Sequence, residues 1–309
     1  MIAETLPFFF FPSSFLSLSV LPTSHVALVI LGASTIGALL GAAGSIMLLR
    51  REALLGDSLA HCTLVGVVCA FLLTGRKDFD VLFLGALISS ALGLIIIKAI
   101  QSIPLIKPDA ALAVVLAGFF GLGLIGLRTV QVSALGNKAG LDSFIFGKAA
   151  LMTSSDVSAS LVIAIIIFIV IFITRRSLAA LCFDSQGLVS LSSPIRWAQV
   201  IVALILLSAV SVALPATGII LTCSLLIIPG CIAKFVTRSF NYYVICASCM
   251  GALSGAAGTL LSFYFENVST GASITLAATF FLLLILSLRK CRSFFRPTPR
   301  LLTVTQERS

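Results

Sequence analysis

Polar residues in this chain fall in short clusters, and between the clusters run apolar stretches of roughly 18 to 25 residues. A helix rising 1.5 Å per residue needs about 20 such residues to cross the ~30 Å hydrocarbon core of a bilayer. Nine stretches meet that length, at about 26–49, 56–75, 79–100, 109–128, 157–174, 195–214, 216–236, 241–265 and 271–288. None shows the alternation over about ten residues that marks a membrane β-strand. The pattern predicts an all-α polytopic membrane protein with about nine transmembrane helices. It predicts a single transmembrane domain over 1–309, with a short apolar N-terminal segment at 1–25 and a basic tail at 289–309.

The N-terminal stretch "MIAETLPFFFFPSSFLSLSVLPTS" carries no Lys or Arg. A cleaved leader needs a basic start, so this segment reads instead as interfacial or as a half-helix interrupted by Pro12 and Pro22.

Composition strengthens the membrane reading. The chain is 59% hydrophobic and 10% charged, against about 25% charged in a soluble domain. A formal net charge of +9 raises nucleic acid as a partner, but there is no soluble basic face to carry it. Basic residues of membrane chains gather on cytoplasmic loops. Alternate loops here hold Arg50, Arg51, Lys98, Lys107, Arg175, Arg176, Arg196, Lys234 and Arg238, and the tail adds Arg289, Lys290, Arg292, Arg296, Arg300 and Arg308. Those fifteen of the twenty basic residues mark the cytoplasmic side, leaving Arg76, Lys77, Arg128, Lys138 and Lys148 opposite. With nine spans, the N-terminus is then outside and the C-terminus inside.

Two connections exceed turn length. The outer one, "TVQVSALGNKAGLDSFIFGKAALMTSSD", is rich in Gly and Ser; the inner one, "RRSLAALCFDSQGLVSLSSP", has the amphipathic character of a short docking helix. Glycines recur inside the spans, as in "LGASTIGALLGAAGS", where small residues let membrane helices approach closely. Of eight cysteines, Cys62, Cys69, Cys223, Cys231, Cys246 and Cys249 lie in apolar runs and read as small hydrophobes.

The chemistry concentrates in "RREALLGDSLAHCTLVGV". Asp57 and His61 stand four residues apart, so a helix puts both on one face, one turn apart. A carboxylate and an imidazole so placed can hold one divalent cation with further ligands from elsewhere. Two structural readings stand beside this one: Asp57 capping a helix N-terminus after Gly56, and His61 donating to a carbonyl. Ionisable side chains at membrane depth are nevertheless functional by default.

The same stretch, continued as "RREALLGDSLAHCTLVGVV", resembles a signature of the integral-membrane permease subunits of zinc, manganese and iron ABC importers. "TGIILTCSLLIIPGCIAKFVTRS", "LSFYFENVSTGASITLAATFFLL", "CFDSQGLVSLS" and "FIFGKAALMTSSD" are similar to further segments of that family, in its order, over about 26–288. The resemblance implies a permease that translocates a divalent metal ion received from an extracytoplasmic metal-binding protein. It implies a cytoplasmic ATP-binding subunit, a second permease subunit (identical or not), and a place in the bacterial inner membrane, in contact with lipid. Asp57, His61 and Glu266 fall at its metal-pathway positions, and Phe183 and Asp184 in its ATPase-coupling segment. Ser185, Gly187, Ser190 and Ser269 depart from the residues usual there.

No permanently bound cofactor is implied. The sequence contains no GxxxxGK[ST], HExxH or GxSxG, so ATP phosphates, a protease zinc or a serine nucleophile have no local cradle. The chain is read as a transport subunit and not an enzyme. The alternative, a secondary transporter working without an ATPase, would show paired interrupted helices, and no such repeat is evident.

Overall fold

The computed structural model describes residues 23–75, 78–132, 152–183, 195–237, 239–265 and 268–294. They form eight helices: α1 (Thr23–Leu49), α2 (Ala53–Thr74), α3 (Phe79–Gln101), α4 (Pro108–Val132), α5 (Ser154–Phe183), α6 (Ile195–Val236), α7 (Phe240–Tyr264) and α8 (Thr270–Phe294). All eight are long and apolar enough to cross a membrane. Among the described residues there is no strand. Helix is the economical solution for such sequences, because every interior N–H and C=O is satisfied within the segment itself.

At 42 residues, α6 would be about 63 Å long if straight, twice the hydrocarbon thickness. It is not straight. Gly218 has φ 78° and ψ 169°, a backbone region open essentially to glycine alone. The neighbours show where the chain goes. A methyl placed on Gly56 would lie 3.3 Å from Leu226 Cδ1 and 3.7 Å from Leu206 Cδ1, so residues from both sides of the break meet α2 at one level. Further along α2, Leu214 and Ile219 share a buried cluster with Leu64 and Val67. The first half of α6 therefore climbs along α2, and the second half descends beside it. Thr217 Oγ1 donates to Ala213 O (2.8 Å) and Thr222 Oγ1 to Gly218 O (2.7 Å), with the two hydroxyls 3.3 Å apart at the bend. With α6 broken at Gly218 into two halves, the eight helices contain nine apolar segments, in line with the hydrophobic runs.

Close approach holds the bundle together. On the α1–α7 face, Ala33, Gly37 and Gly41 meet Gly255, Gly251 and Ala247 in antiparallel order, with backbone against backbone. Gly66 and Gly85 do the same between α2 and α3, where Ser89 Oγ also donates to Cys62 O at 2.7 Å. Helices α1, α2 and α6 are mostly buried, while α4, α5 and α8 turn Ile125, Ile169, Phe172, Leu276 and Phe280 outward. In water such a surface would aggregate; in lipid it is the favourable one.

The α1–α2 turn is tight. Glu52 N donates to Met47 O at 3.0 Å, Arg51 adopts φ 61°, and Arg50 grips Glu52 through two hydrogen bonds of 2.9 and 3.1 Å. At the end of α5, Leu181 and Cys182 pack into the buried cluster that also holds Met47 and Leu55, which flank this turn. Arg289 sits 5.3 Å over the Phe235 ring, bringing α8's basic end to the lower end of α6.

Candidate metal centre

The α1–α2 turn feeds straight into α2, and this decides how Asp57 is used. Glu52 occupies the N-cap position, without a side-chain capping bond, and α2 begins at Ala53. Asp57 therefore lies in the second turn, beyond the N–H groups that a cap serves. The helix-capping reading of Asp57 is excluded. At 1.5 Å per residue, Asp57 and His61 sit about 6 and 12 Å along α2 from its basic end.

Their side chains do share one face, with His61 Nε2 3.8 Å from Asp57 Oδ1. That is too long for a hydrogen bond. The other ring nitrogen, Nδ1, is buried and has no hydrogen-bond partner. The ring edge packs against Phe120 of α4 at 4.9 Å between centroids, with planes at 78°. His61 thus donates to no carbonyl, which removes its structural reading as well. A buried, unpartnered Nδ1 carries a desolvation cost within this partly buried ring.

Cys223 completes the cluster. It lies in the first turns of α6 after Gly218, with its sulfur within 4.8 Å of a ligand atom of both Asp57 and His61. Among the described residues, Asp57, His61 and Cys223 are the one group of three His, Cys, Asp or Glu whose ligand atoms lie close together, all within 4.8 Å of one another. All three are partly buried. Sequence reasoning took Cys223 for a small hydrophobe, because it is 162 positions from His61 in an apolar run. The one local signal was Gly218, five residues earlier, which turns the chain back onto α2.

The remaining sequence-derived positions lie elsewhere. Phe183 ends α5 and is 66% exposed. Asp184 and Glu266 lie outside the described residues. Among the described residues that flank Glu266, Ser262 Oγ of α7 donates to Val268 O at 2.9 Å, at the end of the bundle opposite the α1–α2 turn.

The sequence matches the ABC 3 transport family over residues 23–289. It is 35% identical over 251 residues to the manganese transport system membrane protein MntC of Bacillus subtilis (strain 168), covering 81% of this chain and 58% of that longer protein. It is also 35% identical over 252 residues to the zinc transport system membrane protein TroC of Treponema pallidum (strain Nichols), covering 81% of this chain and 84% of that one. Among solved structures, PsaBC from Streptococcus pneumoniae in complex with Fab aligns with a TM-score of 0.75 at 28% identity, over 85% of this chain and 91% of that chain.

Proposed function

The chain belongs to the ABC 3 transport family, and from that premise we propose that it is the membrane-spanning permease subunit of an ATP-driven importer of a divalent metal ion (Zn, Mn or Fe). The observation that carries the metal assignment is the Asp57–His61–Cys223 cluster, with one oxygen, one nitrogen and one sulfur donor facing a common point inside an apolar bundle. Relatives named for manganese and for zinc transport support the same class of cargo.

The metal is substrate here. A cation entering the bundle loses most of its hydration, and fixed donors replace that shell. The Asp57 carboxylate supplies charge, and the neutral His61 imidazole and the Cys223 thiol supply softer donors. Glu266, between α7 and α8 in sequence, is proposed to meet the ion on its way from an extracytoplasmic metal-binding protein. A separate cytoplasmic subunit hydrolyses ATP, since this chain has no phosphate-binding loop. Phe183 and Asp184 are proposed to dock on that subunit. Movement there reaches the metal site through the Arg50–Glu52 turn, five residues from Asp57. A second permease subunit completes the channel, and residues 1–309 act as one membrane domain.

A secondary transporter is not favoured. Such folds use broken helices in corresponding pairs, and among the described residues α6 alone is broken.

Uptake of radioactive Zn2+ and Mn2+ by cells or proteoliposomes containing the whole complex tests the proposal. Asp57→Asn keeps size and removes charge; His61→Ala removes the ring. Each is expected to lower uptake by about tenfold or more, with the complex still assembled in the membrane. Normal uptake in both variants would remove these residues from the metal path.

A further inference from the structure

The geometry points to Cys223 as the residue that sets which metal passes: its thiol biases the site toward borderline-soft divalent ions of the Zn2+ and Fe2+ class and against Mn2+. This rests on the metal-site reading of Asp57 and His61 and goes beyond it, since those two residues alone do not distinguish the ions.

The placement of the thiol is not incidental. Gly218 adopts a conformation other residues avoid, and Thr222 is tied to its carbonyl at 2.7 Å, so the start of the descending half of α6 is fixed. That fixes the direction in which Cys223 points. Its apolar body packs against both buried clusters of the bundle. The sulfur, however, lies within 4.8 Å of the donor atoms of both Asp57 and His61.

The donor separations suit a small cation. Zinc holds nitrogen and oxygen ligands at about 2.0–2.2 Å and sulfur at about 2.3 Å, which places tetrahedral ligand atoms some 3.3–3.8 Å apart. The His61–Asp57 separation of 3.8 Å is slightly beyond the ~3.3–3.6 Å of a nitrogen–oxygen pair on such an ion. Small rotations of Cys223 and Asp57 would bring the sulfur in.

Donor chemistry then discriminates. Thiolate is soft and adds most to binding of Zn2+ and, less strongly, Fe2+ and Co2+; Mn2+ is hard, is weakest in the divalent series and prefers oxygen. A site of one carboxylate, one imidazole and one thiolate therefore widens a gap that the first two donors only open. Exchanging the thiol for a hydroxyl should narrow it, since Ser offers a hard oxygen of nearly the same shape.

The test uses the full chain purified with its ATPase partner in lipid nanodiscs, with Co2+, Zn2+ and Mn2+ as probes. Co2+ bound to thiolate gives a near-ultraviolet charge-transfer band, which a carboxylate–imidazole site lacks. The wild-type complex should show the band, and Cys223→Ser should lose it while still binding Co2+. In competition, the Zn2+-to-Mn2+ affinity ratio should fall by about tenfold or more in Cys223→Ser, the order expected for losing a tuned ligand contact. Cys223→Ala serves as a second variant and should give the same loss of band and ratio. An unchanged band and ratio in both Cys223 variants, with binding abolished by Asp57→Asn and His61→Ala, would overturn the role of Cys223 and leave the metal site standing. Wild-type binding in all four variants would overturn both.

Discussion

Adding one methyl group at Gly251 tests how the bundle is held together. A Cβ there would fall on the carbonyl oxygen of Gly37 and lie 2.7 Å from its carbonyl carbon and 3.4 Å from the nitrogen of Ala38. All three are backbone atoms, so no side chain can swing away. Carbon atoms rest at about 3.5–4.0 Å, so α1 and α7 must separate by about 1 Å to admit Gly251→Ala. The displacement cannot stay local, because Ala33–Gly255 and Gly41–Ala247 belong to the same row. Overpacking of this kind costs about 1–3 kcal/mol. At the usual unfolding entropy per residue, each kcal/mol moves the Tm of a chain this long by about 1.5 °C, which predicts a fall of about 1.5–5 °C. Thermal unfolding of the complex in detergent, followed by tryptophan-independent size-exclusion detection, measures it. Gly37→Ala meets the carbonyl of Gly251 in the same way and should cost a similar amount. Once one methyl has parted the helices, the second meets less resistance, so the double variant should lose less than the two singles together. An unchanged Tm in both single variants would refute the close-packed α1–α7 interface. Strict additivity would refute the rigid separation of the helices.

Two further outcomes follow from the topology and the coupling segment. A cysteine placed by Lys290→Cys, in a background whose accessible native cysteines have been replaced, should react with a membrane-impermeant maleimide only after the cells are opened. Labelling in intact cells would reverse the orientation drawn from the basic residues. Phe183→Ala should lower metal-stimulated ATP hydrolysis in the reconstituted complex while leaving Co2+ binding at the metal centre intact. Full stimulation in that variant and in Asp184→Ala would detach this segment from the ATPase.

Much of the architecture was legible in order of sequence alone. Apolar runs of span length, separated by basic clusters, leave the backbone no alternative to helix in a lipid environment, and eight helices holding nine segments follow the predicted runs closely. The Asp57–His61 pairing was legible too, because four residues of helix bring two side chains onto one face whatever surrounds them. The third donor was not. Local periodicity carries no information about a contact across 162 positions, and a cysteine among aliphatic residues has the pattern of a core residue. Only the reversal at Gly218 brings Cys223 down beside α2, and only the packing of α4 sets Phe120 against His61. The role of Asp57 was likewise a tertiary decision. A spacing of residues cannot say where a helix starts, and the tight Arg50–Glu52 turn starts α2 at Ala53, one turn too early for Asp57 to cap it. Sequence determined what kind of element each segment becomes, since that depends on neighbours along the chain. Which donors face one another depends on how the helices dock, through atoms the chain order keeps far apart.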